Sequence, residues 1–379
     1  MAIPGDPHDA PLHPLYEHAL AAAGRELDFF DAHTHLGQND PDGRKATAEE
    51  IVAGLDRAGH RRALIFPTQE PDGYTAANAE AIAASRRHPG RLTALARINP
   101  HDGEEGLAEA ERCLAAGAVG FKLHPRSDAF DLPHPVVDGV VALAHEARAP
   151  VLFHAGRGFP GLGEEVAALS RRYPGARLIL AHAGISDLGH LGPIVAESPN
   201  LFFDTSWWLV SDLLALYATV PPGRILYASD MPYGMARFAA VAFLRCALAV
   251  GLEGDQLELV AGAQLDRIVR GEEPVDCGPA PGMAVLGARD LIMERGIAYL
   301  ATAFTAGFRG WDPTESLSLA RLAFRNAGSE VVAYVDALAA TAEARLPLAE
   351  DDEEGRMGMA HVINTAQLVL GTPSVGVPD

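Results

Sequence analysis

Five short motifs carry the residues best suited to chemistry: DAHTHLG at 31–37, GFKLHP at 120–125, VLFHAG at 151–156, LILAHAG at 178–184 and LYASDMPYG at 226–234. Each motif closes a short apolar run, so the polar group sits where the run ends. In the first, His33 and His35 are two residues apart, and on an extended strand residues i and i+2 point to the same face. Both imidazoles can then reach one metal ion. His154 and Asp230 would complete a His/carboxylate set that leaves a coordination position for water, which is the catalytic pattern, whereas structural zinc sites are closed and mostly built from Cys. His182, Lys122 and His124 end two further runs and belong to the same polar group of residues.

These residues are far apart in the chain, so the elements that carry them must bring them together. From Leu27 to Val250 apolar runs alternate with amphipathic, Ala-rich stretches. The runs are Leu27–Ala32, Ala63–Pro67, Leu92–Ile98, Val119–Leu123, Val151–Phe153, Leu178–Ala181, Leu201–Phe203 and Ile225–Ala228. Turn signals such as HPGR at 88–91 and YPGAR at 173–177 close several of the stretches between them. Strands alternating with helices predict a parallel sheet covered on its outer face. Eight such units close a (β/α)8 TIM barrel, whose C-terminal strand ends form one rim where catalytic groups gather. A doubly wound open sheet is the competing architecture, but the first run lacks the Gly-rich GxGxxG turn. The fold class is therefore α/β, a TIM barrel over 27–279, preceded by a Pro-rich arm with one short helix at 1–26. Residues 280–379 show helical periodicity and no strand, which predicts an all-helical extension.

The chain has 379 residues, 48% hydrophobic and 21% charged, enough to bury a large core and incompatible with disorder throughout. Its 50 acidic and 30 basic residues give a formal net charge of −20, which disfavours nucleic acid and anionic membranes as partners. Cys113, Cys246 and Cys277 are too few and too scattered for a disulfide framework or a Cys-type zinc site. With no basic start, no apolar leader and no membrane-length apolar stretch, a cytoplasmic location is expected. His8, His13, His18, His60, His88 and His145 are read as ordinary polar residues. Trp207 and Trp208 follow the seventh run and can line a substrate pocket at the rim.

The five motifs, in this order, resemble the amidohydrolase superfamily of metal-dependent barrels, and most of all the branch holding relatives of aminocarboxymuconate-semialdehyde decarboxylase. The resemblance covers 27–275. It implies that His33, His35, His154 and Asp230 bind a divalent metal, with Asp230 also moving protons. It implies that His182 either binds a second ion or polarises the substrate and positions water. In two-metal relatives a carboxylated lysine bridges the ions, and Lys122 stands at a plausible place for it; the one-metal branch lacks that bridge, and one ion, with Zn²⁺ the first choice, is favoured here. A further option for Lys122 is an ion pair with Asp204 or another rim acid. The expected reaction is hydrolysis of an amide, lactone or related carboxyl derivative of a small molecule. Asp230 would handle the protons of water and leaving group, and His182 would stabilise charge on the attacked carbonyl. The alternative is non-oxidative decarboxylation on the same scaffold, for which Arg97, Arg126 and Arg157 could clamp a carboxylate. Substrate contacts are expected from Lys122, His124, Arg97, Arg157 and Trp207. A non-catalytic barrel that binds a partner through its extension is a third reading, disfavoured by the intact ligand set. The extension is expected to pack on the barrel's outer helices or on a second subunit, giving a homodimer, and to stand apart from the chemistry.

Overall fold

The protein is described by a computed structural model that covers residues 11–156, 159, 161–325, 328–349 and 353–378. Eight parallel strands form in order: β1 (Phe30–Leu36), β2 (Arg62–Pro67), β3 in two pieces (Leu92–Ala94 and Ala96–Arg97), β4 (Phe121–Leu123), β5 (Pro150–Phe153), β6 (Arg177–Leu180), β7 (Leu201–Asp204) and β8 (Ile225–Leu226). Each pairs with its sequence neighbour. At Leu95 the third strand changes partners: the Leu95 N–H still bonds Ile65 O, whereas the Ala96 N–H bonds Gly120 O on the other side. The ring closes between first and last strands, where the Ala32 N–H donates to Tyr227 O at 2.9 Å and the Asp230 N–H to His33 O at 2.9 Å. Gly120 is needed just before β4, because a Cβ there would stand 2.2 Å from Pro150 O.

Inside the barrel, Phe30, Leu64, Phe66, Leu152, Ile179, Phe202 and Leu226 form a separate packed core, closed below by Leu265 and Ile268. Strand side chains alternate between this interior and the outer layer. The outer layer and its surroundings comprise α1 (Leu12–Ala23), α2 (Ala48–Ala58), α3 (Thr75–Arg87), α4 (Glu104–Ala115), α5 (Pro135–Ala147), α6 (Leu162–Arg172), α7 (Leu188–Val195), α8 (Val210–Thr219), α9 (Ala236–Ala249), α10 (Asp255–Glu258) and α11 (Gln264–Val269). α2 illustrates the local logic. Thr47 and Glu50 close a reciprocal capping box, Gly59 ends the helix at φ 74°, and Ile51 and Leu55 face inward.

β1 runs later than the apolar pattern suggests, through His33 and His35 to Leu36 rather than stopping at Ala32. Its polar side chains find partners inside the barrel mouth, so polarity does not end the strand. Between Asp31 and Thr34 the register against β2 slips, a bulge of the kind that re-aims side chains near functional sites.

The last third is helical: α12 (Leu291–Phe308), α13 (Thr314–Phe324), α14 (Glu330–Ala349) and α15 (Glu353–Gly371). α12 begins at Leu291 rather than at the start of the extension, because Gly287 takes φ 63° and Asp290 caps the Ile292 N–H at 2.7 Å. α15 packs on α8 and α9, and a Cβ on Gly371 would meet Val210 Cγ2 at 2.7 Å. Arg245 of α9 is completely buried, and its guanidinium donates to Thr372 Oγ1 at 2.9 Å, Thr372 O at 3.0 Å and Gly376 O at 2.9 Å. Deleting 372–379 would leave that cation buried without acceptors, a loss of about 3 kcal/mol. The expected result is a lower thermal midpoint, partly restored by Arg245→Met, which removes the stranded charge. An unchanged midpoint in the deletion would show that this contact does not hold the extension down.

Candidate active site at the barrel mouth

The strand ends deliver a compact group of buried polar side chains. His33 Nε2 lies 3.1 Å from His35 Nε2, and Asp230 Oδ1 is 3.2 Å from the first and 3.0 Å from the second. These three residues form the one group among the described residues whose ligand atoms all lie within 4.8 Å of one another. Three of the four expected ligands therefore converge, and His154 stands outside this group.

The hydrogen bonds around the cluster decide which nitrogens are free. Asp204, at the end of β7 and fully buried, accepts from His33 Nδ1 at 2.7 Å, which leaves His33 Nε2 without a proton. The other oxygen of Asp204 accepts from the His182 N–H at 2.9 Å, the Ser206 N–H at 3.0 Å and Ser206 Oγ at 2.5 Å. His182 Nδ1 bonds Ser206 O at 2.8 Å, which makes Nε2 the acceptor nitrogen, and His154 Nδ1 donates to it at 2.9 Å. His154 then keeps a bare Nε2, buried and without a partner. The His154 ring stacks on His124 at 3.9 Å, and Gly156 makes room for it, since a Cβ there would stand 2.9 Å from His154 Nε2.

Burial pushes the imidazoles of His33, His35 and His154 well below their usual pKa, so all three are neutral, the form that binds metals. Burial also raises the Asp230 carboxyl well above the usual carboxylate range, against the pull of Lys122. A neutral, proton-free Nε2, a second imidazole nitrogen and a carboxyl oxygen packed within 3.2 Å of one another make an electron-rich centre. The donor set fits a divalent metal of the kind that His and carboxylate ligands hold.

Asp230 and His182 sit in left-handed backbone, at φ 60° and 56°, and Ala183 follows at 58°. Such positions cost of order 1 kcal/mol each and persist where the surroundings over-determine them. Asp31 supplies part of that constraint, accepting from the His33 N–H at 3.0 Å and the Ser229 N–H at 2.9 Å. It thereby ties β1 to the segment carrying Asp230.

The group opens into a cavity of about 580 Å³. His35, His154, His182, Asp230, His124, Arg97, Arg126, Trp207 and Trp208 line it. Lys122 does not. It is fully buried beneath the mouth, its Nζ lies 4.8 Å over the Phe66 ring, and burial brings its ammonium down to about 7. Arg97 lines the cavity, but its guanidinium is paired with Asp128 at 3.0 Å and stacked on Tyr74 at 4.7 Å. It is a wall braced from behind rather than a cation held ready. Arg126 is exposed at the rim, and Arg157, like His8, lies outside the described residues.

Two contributors are not legible in the sequence. Asp204 offers itself there only as an ion-pair partner for Lys122; a lone Asp at the end of an apolar run gives no sign that it orients two histidines. The other is the helical extension, expected to stand apart from the chemistry, whose Phe304, Phe308, Met357, His361 and Asn364 line the same cavity. Helical periodicity shows an apolar stripe without showing what it faces.

The family model described as Amidohydrolase matches residues 30–241, more than half of the chain. No curated protein matches. Among solved structures, the chain is similar to an uncharacterised TIM-barrel protein from Bordetella bronchiseptica (14% identity, TM-score 0.54), the match covering 65% of this chain and 99% of that one. It is similar at 16% identity and TM-score 0.51 to the 5-carboxyvanillate decarboxylase of Sphingomonas paucimobilis, covering 65% of this chain and 99% of that one. A putative amidohydrolase from Staphylococcus aureus is also 16% identical with TM-score 0.51, covering 63% and 99%. At these identities the likenesses establish the barrel. The extension lies beyond the family match.

Replacing Asp204 with Asn tests the tautomer argument. The amide nitrogen would turn toward His33 Nδ1, push the proton to Nε2 and block it. Metal affinity should fall ~10- to 100-fold with the far-ultraviolet circular dichroism unchanged. Equal zinc affinity in D204N and wild type, by competition with a chromophoric chelator, would refute the orienting role.

Proposed function

The chain belongs to the amidohydrolase family, and from that premise we propose that it is a metal-dependent hydrolase acting on an amide, lactone or related carboxyl derivative of a small molecule. The observation that carries the reading is the His33–His35–Asp230 cluster, with its bare nitrogen turned inward at the floor of a cavity. His33, His35 and Asp230 would hold one divalent ion, Zn²⁺ the first choice, with His154 the fourth candidate through its unpartnered Nε2. Such an ion supplies Lewis acidity and brings the ionisation of water near neutral pH.

The chain's own groups do the rest. Asp230 accepts a proton from the attacking water and returns it to the leaving group. His182 uses Nδ1 on Ser206 O and accepts from His154 Nδ1 at Nε2, so it has no N–H to give the carbonyl oxygen, and we assign it to holding His154 with its Nε2 bare. Trp207, its indole N–H held by Asp212 at 2.7 Å, gives the substrate a flat apolar surface beside His182. His124 braces His154 by stacking.

Non-oxidative decarboxylation is the second reading, favoured by the aromatic walls, which suit a planar aromatic acid such as the substrate named for the Sphingomonas relative. Hydrolysis is preferred because the most buried cation lining the mouth, Arg97, is already paired with Asp128. Incubating zinc-loaded enzyme with panels of aryl amides, lactones and aromatic acids separates the two. Hydrolysis products without carbon dioxide support the first, and carbon dioxide from the acids overturns it.

Three free thiols suit a reducing, cytoplasmic setting. Exposed apolar side chains on and beside the extension, among them Leu291 (75%) and Trp311 (61%), suit a homodimer.

Metal content gives a sharper test. His35→Ala should leave the purified protein without tightly held metal, and turnover should fall by orders of magnitude. Plasma emission spectrometry showing as much metal as in wild type would sink the ligand assignment. Wild type should hold close to one ion per chain. Lys122→Met should keep that ion, since the amine lies over Phe66 rather than in the cluster. Two ions in wild type, with half lost in K122M, would replace this with a carboxylated-lysine centre.

A further inference from the structure

The extension supplies the far wall of the cavity through two helix faces. Phe304 and Phe308 are four residues apart on α12, and Met357, His361 and Asn364 recur at i, i+4 and i+7 on α15. From the reacting end an unbroken aromatic series runs to this wall. The His182 and Trp207 rings are 6.1 Å apart, Trp207 stacks on Trp208 at 3.9 Å, Trp208 lies 6.3 Å from Phe304, and Phe304 lies 5.9 Å from Phe308. Asn364 is the polar residue in this wall with an unmet need. It is 1% exposed, and its carboxamide oxygen has no hydrogen-bond partner. A buried amide oxygen left unpaired is destabilising, and a leucine there would remove that cost. Rotation about the last side-chain torsion exchanges the oxygen and the nitrogen of the carboxamide, so the group can turn either toward the cavity.

We infer that the helical extension sets substrate specificity: the substrate is elongated, with an apolar or aromatic body lying along the Trp207–Trp208–Phe304 series and a neutral hydroxyl or amide N–H at its far end that bonds Asn364. The inference rests on the reading above, that the carboxyl derivative reacts at the His33–His35–Asp230 end. The cavity volume of about 580 Å³ exceeds what a single small acid fills and falls within the range for ligands of this size. The apolar series explains why the body must be flat or aliphatic. The unpaired carboxamide oxygen, turned to the cavity, takes a neutral donor such as a hydroxyl.

The test is calorimetric and needs no turnover. Zinc-loaded protein is titrated with benzoate, with a series of phenylalkanoates of increasing chain length, and with the same series bearing a para-hydroxyl. These acids resemble the product of hydrolysis or the substrate of decarboxylation, so binding is read under either reaction. Wild type should bind benzoate weakly, bind longer members progressively tighter up to one favoured length, and there prefer the hydroxylated probe by ~3- to 10-fold. Phe304→Ala should flatten the dependence on length while leaving benzoate unchanged. Asn364→Leu should abolish the hydroxyl preference with a thermal midpoint equal to or above wild type. Gln367→Leu is the control: Gln367 is as buried and its side-chain oxygen equally unpartnered, but it does not line the cavity, so the hydroxyl preference should persist.

Benzoate binding with affinity flat along the series, or Asn364→Leu melting lower with the hydroxyl preference intact, overturns the inference and leaves the reacting end standing. No acid of any length binding to the loaded protein overturns the reading of the reacting end and this inference with it.

Discussion

A carboxyl group with no exposure to water must satisfy its oxygens inside the protein, and the way Asp204 does so sets the rest of the site. One oxygen takes the His33 Nδ1 proton and the other takes the backbone N–H groups of His182 and Ser206 with the Ser206 hydroxyl. Each bond serves the group that makes it as well as Asp204. His33 is fixed as the tautomer with a bare Nε2 facing His35 and Asp230. The His182 backbone is held in its left-handed turn, and its ring then bonds Ser206 O. The residues come from β1, β7 and the segment after β6, so no local sequence rule could assemble them. Only closure of the barrel puts the end of the first strand beside the end of the seventh.

Closure has its own constraint. β1 and β8 meet through a few backbone hydrogen bonds and through Asp31, whose carboxyl burial raises to about 7 while two N–H groups share one of its oxygens. Asp31 is part of the site's support, although it does not itself line the cavity. The stable interior of Phe30, Phe66, Phe202 and their neighbours lies below this layer. The polar upper layer is where cost accumulates: buried imidazoles, a strained Asp230 and an amine over an aromatic ring. The lower layer offsets that cost. The barrel thus separates into a half that stabilises and a half that is held in an expensive geometry.

How much of this the amino-acid sequence makes legible depends on which signals are local. Eight apolar runs with turn residues between them are a periodic signal, and they specify the barrel. The histidines at their ends are legible because a charged or polar group that interrupts an apolar run has few packing explanations. Asp204 ends a run as well, yet an acid in that place is compatible with many roles. Its identity as the orienting group depends on distances across the mouth. Arg97 shows the converse. Its position suggests a carboxylate clamp, whereas Asp128 and Tyr74, brought in from other segments, already occupy it. The extension's helices are legible as helices, but the direction of their faces is a tertiary fact.

That direction explains why a complete barrel carries such an appendage. Strand ends are rigid and few, and this chain uses them for the cluster, its orienting acid and the strained turns. None of these positions can vary without disturbing the others, since they share hydrogen bonds. A wall built from α12 and α15 is free of that restriction. Its α15 packs on α8 and α9, and the buried Arg245 contact beyond α15 anchors it. Residues on its inner face can then change size and polarity while the geometry of the His33–His35–Asp230 cluster stays as it is. The unpaired amide of Asn364 is tolerable for the same reason: its cost falls on a helix pair with its own packing, and it leaves the reacting end undisturbed.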